Sequence, residues 1–407
     1  MSVNAQEFGP RVQALLDQAA AAGDVPGVAV AIGDADGQIF EAAAGTRTAG
    51  GDQAMTPDTV VWIASMTKAV TGTAAMQQVE RGALSLDGPA ADVLPELGRV
   101  QVLDGFDEAG NPRLRAPRVP VTLRHLLTHT SGFSYDFWNA DVVRCQEVMG
   151  LPPVVSCQLA ALDVPLMADP GTHWDYGVGI DFAGRMVEAV TGRRLGAYLA
   201  EEVLGPLGMT DTAFRIRDDM RARLAPIHAR GADGGLTATD LEIPQEPEFE
   251  MGGGGLYGTV RDYLRFCRLF LNQGRADGGG QVLKPETVAQ MSRNAMGDLR
   301  VRPLKAVLHD LTNDAEFFPG LPKSWGLSFM INEEDAPTGR PAGSLAWAGL
   351  ANSYYWIYPK TGIAGVYATQ ILPFADVKSL PLYLAVEGAV YGRGGRAFLT
   401  TAPPDCA

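Results

Sequence analysis

The chain has 407 residues, 46% hydrophobic and 20% charged, which is enough apolar material for one large core or two packed domains and excludes a disordered protein. A formal net charge of −14 argues against nucleic acid or an anionic membrane surface as a partner. Residues Met1 to Phe8 lack the basic and apolar regions of a secretory leader, and no apolar run reaches the ~18–20 residues that span a bilayer. Four cysteines, Cys145, Cys157, Cys267 and Cys406, do not make a disulfide framework in so long a chain. Reduced thiols in a cytoplasm are the expectation; Cys145 and Cys157 are the pair that export would oxidise.

An amphipathic helix is expected from Pro10 to Ala22, with Pro10 in the first turn where no N–H bond is lost. Two strands follow, Gly27 to Ile32 and Gln38 to Ala44, joined by the hairpin signal Gly33-Asp34-Ala35-Asp36-Gly37. The apolar run Val60 to Ala64 leads into Ser65-Met66-Thr67-Lys68 and a proline-free helical stretch to Glu80. Gly98 to Pro120 reads as surface-wrapping loop. Helices are expected at Thr122 to Thr128, Ile180 to Val190, Leu195 to Leu204 and Arg261 to Leu271, with Gly192 and Gly205 as stops. Strands return at Trp325 to Ile331, Ser344 to Ala348, Ser353 to Tyr358 and Ile363 to Ile371, and a helix from Leu380 to Val390 closes the pattern. Strands at both ends with helices between imply an α/β (α+β) fold: one antiparallel sheet flanked by terminal helices, plus an inserted, mostly helical lobe. The boundaries implied are 1–80 with 245–407 for the sheet domain and 81–244 for the helical one. A cleft between lobes is where a small molecule would bind.

Ser65 and Lys68 carry the chemical signal. On a helix, residues i and i+3 are neighbours, so a hydroxyl and an amine share one face near unpaired backbone N–H groups. That arrangement suits acyl transfer, because a serine hydroxyl needs a base to take its proton as it attacks. Read alone, Ser-x-x-Lys is as well explained by an N-cap and an exposed lysine.

Downstream stand Trp174-Asp175-Tyr176-Gly177-Val178 and Leu345-Ala346-Trp347-Ala348-Gly349-Leu350, with supporting segments Leu126 to Gly132 and Gly252 to Thr259. In order and spacing the chain resembles the serine β-lactamase and penicillin-binding-protein superfamily. Within it the chain is most like the class C-like carboxylesterases (family VIII) and the related branch of lovastatin-pathway acyltransferases. The resemblance spans nearly the whole chain. It implies a β-lactamase-like fold, Ser65 as acylated nucleophile, Lys68 and Tyr176 as the proton-transfer pair, and backbone N–H groups of Ser65 and Leu350 as oxyanion donors. Trp347, Ala348, Gly349 and Leu350 would line the substrate site, and no metal or organic cofactor is implied. Lysine and tyrosine are both protonated near neutral pH in water; burial lowers a lysine and a nearby cation favours tyrosinate, so pairing them can make one basic.

Two departures bear on the substrate. Lactam-processing relatives carry Lys-Thr-Gly where this chain has Trp347-Ala348-Gly349, and Tyr-x-Asn where it has Tyr176-Gly177-Val178. Losing the lysine's charge-assisted bond to a lactam carboxylate costs roughly 1.5–3 kcal/mol. Both changes make the cleft less polar and favour neutral esters. The expected partner is a small-molecule ester, cleaved through a Ser65 acyl-enzyme. The rivals are transfer of the acyl group to an alcohol or amine, weak β-lactamase or D,D-peptidase activity, and a catalytically dead binding protein on the same scaffold.

Other motifs read as structural. Lys360-Thr361-Gly362 falls at a hairpin turn. His125 and His129 have the spacing of a zinc helix without its glutamate. No Gly-x-Ser-x-Gly elbow occurs, and Gly252 to Gly255 lack the lysine of a phosphate loop and read as tight packing near the cleft. Trp138, Trp174 and Trp325 fit either an acyl pocket or the core. The sequence leaves the oligomeric state open.

Overall fold

Strand Ser353–Tyr358 reads Ser-Tyr-Tyr-Trp-Ile-Tyr, and successive side chains of a strand leave on opposite faces. In the computed structural model, which describes residues 4–360 and 362–393, Tyr354 stacks on Tyr383 with ring centroids 4.4 Å apart, and Trp356 lies 6.0 Å from the same ring. Tyr355 leaves the other face and meets Tyr263 at 5.0 Å. Tyr383 belongs to helix Ser379–Val390 and Tyr263 to helix Val260–Leu271. The sheet is therefore covered on both sides, and its inner strands are apolar throughout instead of alternating.

Seven antiparallel strands make this sheet, in the spatial order Gln38–Gly45, Gly27–Asp34, Ile363–Ala368, Ser353–Tyr358, Leu345–Gly349, Met330–Asn332, Lys323–Trp325. The N-terminal hairpin joins the C-terminal strands directly: Ala29 sits opposite Ala368 and Asp34 opposite Ile363. Its turn is held by the Asp34 carboxylate, which accepts the backbone N–H groups of Asp36 and Gly37. Helix Ala5–Ala21 packs on strand Gln38–Gly45 and on helix Ser379–Val390. The mixed α/β architecture expected from the sequence is the one observed.

Four expectations need correction. The first helix begins at Ala5, capped by the Asn4 side chain on Gln6 N–H, so Pro10 lies inside it; Pro10 and Gln6, whose carbonyl loses its bond, are both exposed, and water can take the proline's place. Trp325 to Ile331 is not one strand but a tight reversal between Lys323–Trp325 and Met330–Asn332, closed by Gly326 N–H on the Phe329 carbonyl with Ser328 at φ +79°. Ile363 to Ile371 breaks after Ala368; Ile371–Leu372 leaves the main sheet to pair in parallel with His228–Arg230. Gly98 to Pro120 contains a hairpin, Val102–Phe106 with Pro112–Arg115. Helix Ala140–Met149 had no sequence signal because only Val142 and Cys145 are buried on it, too thin a stripe for periodicity to show. Leu195 to Leu204 is helical as expected, its second half widening to i→i+5 bonds that end with Gly205 N–H on the Ala200 carbonyl.

Cys145, Cys157 and Cys267 are buried free thiols; Cys406 lies outside the described residues. Among the described residues no helix is long and apolar enough to cross a membrane. Because Tyr383 pins the closing helix to the sheet, Tyr383→Ala is expected to destabilise the protein by about 3–5 kcal/mol. Tyr383→Phe, losing the hydroxyl's bonds with Arg340, at 3.4 Å, and with the buried Glu387 carboxylate, should cost about 1.5–3 kcal/mol. Urea denaturation with an unchanged m-value checks both.

Candidate active site

Strand Val61–Trp62 pairs with Tyr257–Gly258, then turns through Ala64–Met66 into helix Thr67–Glu80. Ala64 holds φ +43°, a left-handed conformation that costs an L-residue roughly 1–2 kcal/mol. The tight turn it makes sets Ser65 just ahead of the helix, and Lys68 follows one turn on, with Nζ 3.1 Å from Ser65 Oγ. The helix is buried along every face from Thr67 to Gln78, so Lys68 is almost fully enclosed, at 1% exposure.

The glycine run is clamped to this segment. Three successive carbonyls, those of Gly252, Gly253 and Gly254, accept from Thr71 Oγ1 at 2.8 Å, Lys68 Nζ at 2.6 Å and Trp62 Nε1 at 2.7 Å. Leu256 N–H donates to Thr67 Oγ1 at 3.1 Å. A Cβ on Gly253 would come within 2.5 Å of the Asp181 carboxylate, so only glycine fits there. The tight packing read from these glycines is what the structure shows.

The amine touches a third acceptor, Tyr135 OH at 2.9 Å. Tyr176 lies beside it, its ring centroid 4.7 Å from Lys68 Nζ. The Tyr176 hydroxyl accepts from Trp347 Nε1 at 2.8 Å and also hydrogen-bonds the Ser65 side chain. Tyr135 N–H donates to the Tyr176 carbonyl at 3.2 Å, tying the two tyrosine loops together. His129, at φ +57°, holds the same loop: its carbonyl accepts from Asp175 N–H at 2.9 Å and its Nδ1 from Gly177 N–H at 3.4 Å. His125 completes a helix cap with Thr122. Both histidines thus have structural partners.

Ser65, Tyr176, Trp347, Ala348, Gly349 and Leu350 line one cleft together with Phe137, Trp138, Leu304 and Phe374. A Cβ on Gly349 would lie 2.4 Å from the Ile63 carbonyl; its absence lets strand Leu345–Gly349 press against the Ser65 turn. Trp138 is a cleft residue, whereas Trp174 and Trp325 are core, packed behind Tyr176 at 6.3 and 6.2 Å between centroids. Free space beside Ser65 is small, about 20 Å³, little more than one water needs. Larger cavities of about 590 and 450 Å³ lie elsewhere. Neither is lined by Ser65, Lys68 or Tyr176. Lys360 and Gly362 occupy the turn after Ser353–Tyr358, with Gly362 N–H on the Tyr358 carbonyl at 3.0 Å. Thr361 lies outside the described residues.

Burial sets the protonation states. It lowers Lys68 to about 7, opposed by the attraction of Asp181. It raises Tyr176 and Tyr135 above the ordinary tyrosine range, and it raises Asp181 against the pull of Lys68. His129 is held neutral by burial and by the neighbouring amine. Of the two groups that pairing was expected to make basic, burial selects the lysine: both lose hydration, and the form that escapes the penalty is the neutral amine in one and the neutral phenol in the other.

Tyr135 and Asp181 had escaped the sequence reading. Tyr135 stands three residues beyond the segment ending at Gly132, where nothing separates it from a core aromatic. Asp181 had a signal, a carboxylate within the apolar run Ile180-Asp181-Phe182-Ala183, since aspartate is almost never fully buried without a partner.

A family model described as beta-lactamase matches residues 12–389. Monacolin J acid methylbutanoyltransferase of Aspergillus terreus (strain NIH 2624 / FGSC A1156) is 33% identical, over 91% of this chain and 92% of that protein. Lovastatin esterase of Penicillium rubens is 33% identical, over 88% and 93%. The solved structure of a simvastatin synthase mutant from Aspergillus terreus superimposes with a TM-score of 0.82 at 33% identity, covering 96% of this chain and 98% of that one. The chain belongs to the beta-lactamase family and is an enzyme of the serine-hydrolase type.

A lysine in water titrates near ~10.4. With 13C-labelled lysine, one resonance is expected to titrate near pH 7 and to vanish in Lys68→Met. Titration of every lysine above pH 9 would refute the burial argument.

Proposed function

We propose that the protein is a serine carboxylesterase that cleaves neutral esters through an acyl-enzyme on Ser65. The observation that carries this reading is the 3.1 Å contact between Ser65 Oγ and an amine that burial brings down to about 7. Near neutral pH about half of such amines are neutral and able to take the serine proton.

In the first step Ser65 Oγ bonds to the ester carbonyl carbon while its proton passes to Lys68 Nζ. The negative charge gathers on the carbonyl oxygen, which the N–H groups of Ser65 and Leu350 would receive; such a donor is worth about 10²–10³ in rate. As the tetrahedral centre collapses, the alcohol leaves and needs a proton. Tyr176 is suited to relay it from Lys68. Trp347 Nε1 occupies one lone pair of the phenol oxygen, so the phenol's own O–H remains to donate towards Ser65 or the leaving group. Water then repeats the cycle on the acyl-enzyme and releases the acid.

The cleft supports the substrate class. Where lactam-processing relatives present a lysine, Trp347 presents an indole already bonded to Tyr176, and Phe137, Trp138, Leu304, Leu350 and Phe374 add only apolar surface. A compact, uncharged acyl group fits such a lining, which among the described residues includes no lysine or arginine to meet a carboxylate.

A second reading shares the acylation step and hands the acyl group to an alcohol. Relatives at 33% identity are named for both outcomes, a methylbutanoyltransferase and an esterase. The two differ only in which nucleophile reaches the acyl-enzyme first.

Ser65→Ala is expected to abolish hydrolysis of p-nitrophenyl acetate and butyrate and the mass shift from a serine-directed phosphonate; retention of either would falsify the assignment. Tyr176→Phe should stay folded and lose at least 10²-fold in kcat. The pH profile of kcat/KM should rise with a midpoint near 7 as Lys68 loses its proton, and fall only above the ordinary tyrosine range. Adding butanol and measuring butyl ester against free acid separates transfer from hydrolysis.

A further inference from the structure

Asp181 is fully buried, lies on helix Gly179–Thr191 and takes no part in the steps above. Its Oδ1 accepts the Gly253 N–H at 2.8 Å, and its Oδ2 has no hydrogen-bond partner among the described residues. Gly253 in turn presents its carbonyl to Lys68 Nζ at 2.6 Å. One glycine therefore joins carboxylate to amine, N–H on one side and C=O on the other. No side chain at position 253 could share the space, because a Cβ would meet all three carboxylate atoms between 2.5 and 3.1 Å.

An unpaired carboxylate oxygen in a dry interior is costly unless a nearby cation compensates it. The compensating charge is the Lys68 ammonium, and its attraction is felt at both groups. The geometry also has a directional consequence. A neutral amine has two N–H donors and one lone pair. A carbonyl can only accept, so Gly253 always takes one N–H. With Tyr135 OH taking the other, the lone pair is left facing Ser65 Oγ.

We propose that Asp181 is a positioning residue for the reaction. Bonded to Gly253 N–H, it aims the Gly253 carbonyl at the Lys68 amine and sets a negative charge within reach of it. The inference rests on Lys68 acting as the base for Ser65. The other groups facing the pair are Tyr135, Tyr176, His129 and Cys157, and burial keeps the phenols, the imidazole and the thiol uncharged near neutral pH. Asp136, whose charge is felt at Tyr135, is engaged by the Phe137 N–H at 2.9 Å.

The sign of the effect follows from opposite charges attracting. Asp181 stabilises the protonated, inactive amine, so removing its charge should make the base available at lower pH. In Asp181→Asn, Oδ1 still accepts from Gly253, and the rising limb of the kcat/KM profile for p-nitrophenyl butyrate should move to lower pH by about one unit, with the plateau kept within about tenfold. Asp181→Ala also releases the Gly253 peptide; kcat should fall at least tenfold with little change in KM. Thermal melts of each variant show whether it is folded. If Asp181→Asn is folded and active with its limb unmoved, the proposal is wrong. If Asp181→Asn does not fold, the same limb is read in Asp181→Ala, and an unmoved limb there is equally fatal. Ser65→Ala run alongside tests the underlying reading separately: its residual turnover would sink the esterase assignment, not the link between Asp181 and Lys68.

Discussion

Everything at this site follows from burying one amine. Removing an ammonium from water costs several kcal/mol even after the protein relaxes, and the chain meets that cost in two ways at once. Three oxygens accept from Lys68, those of Ser65, Tyr135 and Gly253, and the amine's proton is loosened until the neutral form competes. The first holds the side chain in a single place. The second turns an ordinary cation into a base. Neither would occur on an amphipathic surface helix, and the helix carrying Lys68 is enclosed on all sides.

That enclosure depends on distant segments of chain. The glycine turn at 252–254 reaches the helix only because three donors of the 62–71 segment each take one of its carbonyls. Strand Leu345–Gly349 reaches it because Gly349 has no side chain to hold it off the Ile63 carbonyl. Behind Tyr176, His129 and Trp325 lie 4.5 and 6.2 Å away between ring centroids, with Trp347 at 4.9 Å. These rings exclude water, and low polarity strengthens the few electrostatic contacts that remain. Trp347 also packs against this tyrosine, and its indole N–H occupies one lone pair of the Tyr176 oxygen.

Much of the fold was legible because its elements are strongly patterned. Strand Ser353–Tyr358 falls where the aromatic run places it, and the N-terminal hairpin follows its Asp and Gly signals. Failures came where one run of apolar residues serves two elements. Trp325 to Ile331 carries no proline or paired turn residues, yet Ser328 adopts a left-handed conformation and the chain reverses; only packing on both arms imposes that. Within the site, Ser65, Lys68, Tyr176 and Trp347 stand in recognisable order. Tyr135 does not, because nothing local distinguishes a phenol aimed at an amine from one filling a core.

By itself the sequence determined which groups are present and in what order: a hydroxyl and an amine one helical turn apart, a tyrosine, and a strand that carries tryptophan at 347. These are local facts, set by helix periodicity and residue type. Tertiary structure alone decided which group is basic, because protonation depends on how far a side chain is removed from water and which charges surround it. It also brought Tyr135 and Asp181 to the amine across 67 and 113 residues of chain, a proximity that only the packed fold creates.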